Sequence, residues 1–197
     1  MKKERSDLET AIFAGGCFWC VESDFEKHNG IVEAIPGYTG GHKGDPTYEE
    51  VSSGLSGHLE AVRVLYDPRI ISYAALLDIF WKHVDPTDQG GQFVDRGAQY
   101  RTAIFFHTPQ QKEAAESSKL ALSQSGRFDR PIATEILPIQ QFYPAEEYHR
   151  KYYKKNPIRY KFYRANSGRD QFLKKVWQDT ATGEFDNDTS KDNDFTS

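Results

Sequence analysis

The apolar run Ala11-Ile12-Phe13-Ala14 stops at Gly15-Gly16, and a helix-compatible stretch opens at once with Cys17-Phe18-Trp19-Cys20. That junction constrains the chain more than any other segment. The run reads as a buried strand over 8–14, and the stretch over 17–28 as a helix. Cys17 then stands where free backbone N–H groups and the helix dipole favour a thiolate.

Cys17 and Cys20 are the only cysteines of the chain. On a helix, residues at i and i+3 face each other about 5–6 Å apart between Cβ atoms. A disulfide is within reach of that spacing, since bridged Cα atoms lie roughly 4.4–6.8 Å apart. Zinc is a poor fit: one Cys-x-x-Cys supplies two ligands, and a structural site takes four. A purely structural bridge is disfavoured too, because so short a loop constrains the unfolded chain little. Two inert core thiols are the bland alternative. Spacing alone favours redox chemistry.

The rest of the composition narrows the class. With 197 residues and 38% hydrophobic content, the chain suits one globular domain with a real core. The net charge of −4 is mild, and the basic group Arg150-Lys151 with Lys154-Lys155 follows Ala145-Glu146-Glu147. That pattern is a solvated face, not a nucleic-acid patch. Residues 1–7 are basic but no apolar stretch follows them, as a secretory leader requires. No stretch approaches the ~20 apolar residues of a membrane span. These features predict a soluble, cytoplasmic protein, and in a reducing compartment a close cysteine pair is more often catalytic than structural.

Further strands are expected over 31–38, broken by Pro36-Gly37, and over 59–66, 100–107 and 132–137. Helices are expected over 48–52, 72–84 with Ser72 as N-cap, 109–125 with proline at its start, 146–155 and 171–178. Residues 39–46 and 85–97 read as loops. This order predicts an α/β (α+β) two-layer sandwich, a split βαβ, ferredoxin-like core with helices on a mixed sheet. The expected organisation is a flexible stretch over 1–7, one catalytic domain over 8–178 and a disordered tail over 179–197.

A reactive thiol needs a pocket and a proton donor. Phe18 and Trp19 border whatever reaches Cys17, and an aromatic wall there suits a small apolar group such as a methyl. Glu60, inside the apolar stretch Leu59-Glu60-Ala61-Val62, reads equally as a buried acid with raised pKa or as the partner of Arg63 or Arg101.

The segment Gly16-Cys17-Phe18-Trp19 resembles the type A peptide methionine sulfoxide reductases. So, in the family's order, do Pro36-Gly37-Tyr38-Thr39-Gly40-Gly41, Pro46-Thr47-Tyr48-Glu49-Glu50-Val51, Gly57-His58-Leu59-Glu60-Ala61-Val62 and Tyr66-Asp67-Pro68. Phe80-Trp81, Asp85-Pro86-Thr87, Asp95-Arg96-Gly97-Ala98-Gln99-Tyr100-Arg101 and Ala145-Glu146-Glu147-Tyr148-His149 continue the likeness, which spans about residues 12–157.

The resemblance implies that Cys17 attacks a sulfoxide sulfur and Glu60 protonates its oxygen. It implies that Tyr48 and Tyr100 hold that oxygen, Phe18 and Trp19 enclose the methyl group, and Asp95 lies near the substrate's main chain. The implied substrate is the S epimer of methionine sulfoxide, free or in proteins, with no metal or bound cofactor. Attack leaves a sulfenic acid on Cys17. Many relatives carry glycine where Cys20 stands and resolve that acid with cysteines of a C-terminal tail. Here no cysteine follows Cys20, so Cys20 is the internal resolving thiol, and thioredoxin the implied reductant of the disulfide. A thioredoxin-like disulfide oxidoreductase shares the Cys-x-x-Cys but has no place for residues 57–62 and 95–101. A peptide-binding module with an aromatic pocket, and a domain with inert cysteines, complete the alternatives.

Overall fold

A computed structural model describes residues 7–178; the expected tail over 179–197 and all but the end of the expected N-terminal stretch lie outside the described residues. The elements are β1 (Glu9–Gly15), α1 (Phe18–Glu26), β2 (Ile31–Thr39), α2 (Tyr48–Ser52), β3 (Leu59–Tyr66) and α3 (Tyr73–Trp81). They continue with β4 (Gly91–Gln92), β5 (Asp95–Arg96), β6 (Thr102–Phe106), α4 (Pro109–Gln124), β7 (Glu135–Pro138) and β8 (Tyr143–Pro144). The last three are α5 (Tyr152–Lys155), α6 (Pro157–Asn166) and α7 (Arg169–Trp177).

Six strands form one mixed sheet in the order β7-β6-β1-β3-β2-β8. β3 lies between β1 and β2 and antiparallel to both, β6 is antiparallel to β1, and β7 runs parallel to β6. The inner four strands are the split βαβ core that the element order predicts, with β7 and β8 added at the edges. β1 is central, so both of its faces are covered. Ala11 and Phe13 meet Phe25 of α1, Leu76 and Phe80 of α3 and Ala115 of α4. Ile12 and Ala14 face the other way, against Leu59, Ala61, Phe105 and Phe142. Burial on two sides is why 11–14 carries no polar alternation.

Caps set the helix starts. Ser72 accepts from the Ala75 N–H, Thr108 from that of Gln111, and Thr47 with Glu50 forms a capping box on α2.

Four expectations are corrected. β2 runs straight through Pro36-Gly37, paired with Val62 and Ala61 of β3. Its outer neighbour is only the two-residue β8, so a missing N–H is tolerated there. Gly37 is required because a Cβ would sit 2.4 Å from the Phe142 ring and the Tyr143 carbonyl oxygen. The expected helix over 146–155 is a turn followed by the short α5, broken at Lys151 with φ of 52°. Both oxygens of buried Glu22 take the Lys151 N–H, at 2.8 and 3.0 Å, and this tertiary contact overrides local propensity. Residues 85–97 contain the small β4–β5 hairpin, and Tyr100 ends a 3-10 turn over Ala98–Tyr100 instead of opening a strand. Helix α6 was not expected at all.

Candidate active site

Gly16, with φ of +82°, turns the chain out of β1, and Cys17 becomes the N-cap of α1. A Cβ on Gly16 would lie 2.6 Å from Cβ of Gln92 and 3.0 Å from Nη2 of Arg169, so the turn is closed from outside. Cys17 has φ −50° and ψ 117°, outside the helix proper, and its sulfur makes no cap bond. Its direction is therefore not fixed by helical geometry. Cys20 follows one turn later, its N–H donating to the Cys17 carbonyl at 3.1 Å. Both thiols are free and buried, and they pack with Tyr152, Tyr160 and Tyr163.

Glu60 is the second residue of β3 and 2% exposed. Its Oε2 accepts the Phe18 N–H at 2.9 Å, which fixes the carboxyl beside Cys17. Among the described residues no arginine pairs with it; Arg101 binds Glu135 instead. Burial pushes Glu60 from its ordinary 4.5 up to about 8, despite that N–H and with Asp95 adding to the rise. It is a neutral acid at pH 7. Burial also pushes the Tyr48 hydroxyl up to about 12 and raises that of Tyr100, with Glu60 and Cys17 among the charges each faces. Both phenols stay protonated donors around the same carboxyl and thiol.

Phe18 is 1% exposed, beneath Tyr38 and His149 at ring distances of 5.9 and 4.9 Å. Trp19 is the more open wall, stacked on Tyr152 at 3.8 Å with Tyr163 edge-on at 6.1 Å. The Trp19 Nε1–H donates to Nδ1 of His149 at 3.0 Å, so that ring carries its proton on Nε2. Burial lowers the His149 pKa and keeps it neutral. Glu146 accepts from the Tyr38 hydroxyl at 2.8 Å and from the Tyr48 N–H at 2.9 Å, tying β2, α2 and the 146–151 turn together. His58 takes no part in this cluster: it accepts from the Gly41 N–H and reaches the Lys43 carbonyl, holding the glycine-rich loop.

The expectation that the helix terminus makes Cys17 the thiolate is corrected. The first N–H of α1 goes to Glu60 and not to sulfur, and burial pushes the Cys17 thiol well above its ordinary range, with Cys20, Glu60 and Asp95 adding to the rise. The bond from Cys17 instead draws Cys20 down to about 6, against its burial, with Arg169 and Arg164 behind it.

All eight residues expected in the site fall in one cluster around Cys17, Asp95 through Tyr163. The Tyr163 hydroxyl donates to Asp95, and its ring packs against the two thiols. Burial raises the pKa of Asp95. Arg169 went unseen in the sequence because it opens α7 just ahead of the expected 171–178 helix, and Tyr163 because it depends on α6. Its signals were Pro157 at the first helical position and Tyr160, Tyr163 and Arg164 at helical spacing. Among the described residues no group of three or more His, Cys, Asp or Glu could hold a metal, and no helix is long and apolar enough to cross a membrane.

Known proteins resemble this chain in sequence and fold. The family model described as peptide methionine sulfoxide reductase matches residues 9–181. The peptide methionine sulfoxide reductase MsrA of Bacillus licheniformis is 54% identical over 86% of this chain and 93% of its own. The crystal structure of Mxr1 from Saccharomyces cerevisiae in reduced form has a TM-score of 0.71 and 33% identity, covering 79% of this chain and 90% of that one. The structure of Mxr1 in complex with Trx2 has a TM-score of 0.52 and 26% identity, over 75% of this chain and 87% of that one.

Proposed function

The chain belongs to the peptide methionine sulfoxide reductase family and reduces methionine sulfoxide with thiols; we propose that Cys17 is the nucleophile, Glu60 the proton donor and Cys20 the thiol that resolves the intermediate. One observation carries this reading: a neutral, buried carboxyl is bonded to the N–H next to the attacking cysteine. A sulfoxide oxygen departs from sulfur only when protonated, and an acid poised near neutral pH is suited to that task.

Tyr48 and Tyr100 hold the oxygen as an oxyanion hole does, with two uncharged donors in a site that excludes water. Phe18 and Trp19 receive the methyl group, and Asp95 faces the substrate's main chain. Cys17 sulfur bonds to the sulfoxide sulfur while Glu60 protonates the oxygen. The oxygen passes to Cys17 as a sulfenic acid and methionine leaves. Cys20 then attacks the Cys17 sulfur, and the hydroxyl departs as water with the aid of a proton. The resulting disulfide returns to two thiols by two-electron exchange with thioredoxin, a partner supported by the Mxr1–Trx2 complex. Electrons come from thiols throughout, so the cycle needs no metal or prosthetic group. It suits the cytoplasm, where thiols are kept reduced. Residues 8–178 form one catalytic unit in this reading.

The test is turnover of separated methionine sulfoxide epimers with dithiothreitol, with Cys17→Ser as control. Consumption of the S epimer alone, abolished in the control, is the expected result. Turnover of neither epimer, or full activity in the control, overturns the reading.

A further inference from the structure

Two features that each cost the fold meet at one hydrogen bond. Glu22 of α1 is 0% exposed, and its two oxygens share the Lys151 N–H, at 2.8 and 3.0 Å. Among the described residues no cation lies within ion-pair distance of it. The Lys151 ammonium turns to Glu26 at 3.6 Å, and the Arg150 guanidinium to Glu33 at 2.9 Å and Glu147 at 3.4 Å. An acid buried with so few partners weakens stability, and an apolar side chain of similar size would not. Lys151 is the second feature. It is held at φ 52° and ψ 37°, a left-handed conformation that its Cβ disfavours. Such strain persists only where surrounding contacts over-determine it. The residues on either side of Lys151 both grip Trp19. His149 accepts the Trp19 Nε1–H at 3.0 Å, and the Tyr152 ring stacks on the indole at 3.8 Å with 7° between the planes. The left-handed step at 151 is where the chain turns from one contact to the other, and Glu22 stands one helical turn after Trp19.

We propose that Glu22 is a positioning residue for substrate selection: by holding Lys151 in its left-handed turn it clamps Tyr152 and His149 onto Trp19, and so fixes a pocket that admits a methyl group and resists a larger one. The inference rests on the reductase reading above, in which Phe18 and Trp19 receive the methyl. Phe18 is 1% exposed and enclosed by Tyr38 and His149, so packing alone holds it. Trp19 is only partly buried, and its place has to be imposed. Glu22 touches neither substrate nor reacting atoms; its effect passes through one hydrogen bond, one backbone turn and one ring stack. Without the clamp the indole is free to shift. Contact with the methyl group weakens and room for an ethyl group opens. Chemistry at sulfur belongs to Cys17 and Glu60 and is spared once substrate is bound.

The experiment is steady-state kinetics with dithiothreitol on the S epimers of methionine sulfoxide and ethionine sulfoxide, which differ by one methylene on the alkyl group. Wild type, Glu22→Leu, Glu22→Asp and Tyr152→Leu are compared. A fixed pocket discriminates one methylene by about 10–200-fold in kcat/KM, so wild type should favour the methyl substrate by at least about tenfold. Glu22→Leu removes the acceptor. It should raise KM for methionine sulfoxide about tenfold with kcat within about twofold, and cut the methyl preference to about threefold or less. Tyr152→Leu should reproduce that loss, and the double variant should add little, because both act through one stack. Glu22→Asp, one methylene short of the Lys151 N–H, should fall between, and it decides the matter if Glu22→Leu fails to fold. A merely less folded protein loses kcat on both substrates alike and keeps its preference. An unchanged preference in the Glu22 variants or in Tyr152→Leu, or a wild type that does not distinguish the two substrates, overturns the proposal. No turnover of either substrate by wild type instead overturns the reductase reading itself.

Discussion

Replacing Glu60 by glutamine separates what this carboxyl does for catalysis from what it costs the fold. Below about pH 4.5 the acid is protonated in both folded and unfolded chains, and stability is fully present. Above that the unfolded chain releases its proton while the folded one holds it up to about pH 8, so stability falls through this window and levels off beyond it. A carboxyl moved from 4.5 to about 8 makes that fall about 4 kcal/mol between pH 5 and pH 9, at roughly 1.4 kcal/mol per pH unit. Glu22, raised to about 7 by burial, adds a loss of the same sign. Cys20, lowered to about 6, adds a gain as pH rises. Both are common to the two proteins, so the difference between wild type and Glu60→Gln isolates Glu60. The glutamine oxygen can keep the Phe18 N–H bond, so packing is preserved. Urea unfolding at pH 5, 7 and 9 reads the outcome. The variant should gain on wild type by about 4 kcal/mol from pH 5 to pH 9, while turnover at pH 7 drops by ~10²–10⁴ for want of a proton donor. Parallel stability curves would refute the claim that Glu60 is held neutral.

Gly16→Ala should destabilise by about 2 kcal/mol or more, since its φ is left-handed and Gln92, bonded to both Asp85 N–H and Asp85 carbonyl, cannot yield; a thermal melt checks this. Tyr163→Phe removes the hydroxyl that donates to Asp95 beside the packed thiols, with an expected tenfold or so loss in kcat/KM and a stability cost of about 1 kcal/mol. Steady-state kinetics beside a melt distinguishes this from simple unfolding. Peptide mapping after one equivalent of sulfoxide should find Cys17 joined to Cys20; a Cys20 that stays alkylatable throughout rules that bridge out.

The strands were legible because they are local, whereas the pairing of Cys17 with Glu60 came only from the family resemblance. Residues 11–14 announce a doubly covered strand, and Leu59-Glu60-Ala61 leaves one acid stranded among apolar neighbours. What escaped is what distant contacts decide. Pro36 reads as a breaker until β3 and the short β8 are seen on either side. Residues 146–155 read as helix until Glu22 claims the Lys151 N–H. The partner of the first helical N–H escaped for the same reason, since nothing in residues 17–20 reveals that Glu60 takes it. Tyr163 reaches the nucleophile only through α6, whose aromatic spacing is weak evidence beside so many other tyrosines.

Helix α1 carries three buried or half-buried acids, and each grips the end of the chain: Glu22 holds Lys151, Asp24 holds Arg164, and Glu26 holds Tyr153 and Lys154. These bonds span 127 to 140 residues of sequence. On a ribosome adding about 5–20 residues per second, roughly ten seconds separate the emergence of Cys17 from that of the segment that walls it in. Contacts of such long range form late in folding. During that interval the two thiols are side by side in solvent, without Tyr163, Arg169 or the Trp19–Tyr152 stack around them. The nascent protein is therefore most open to oxidation of its own nucleophile, and a reducing environment at the site of synthesis protects the enzyme before it can protect anything else.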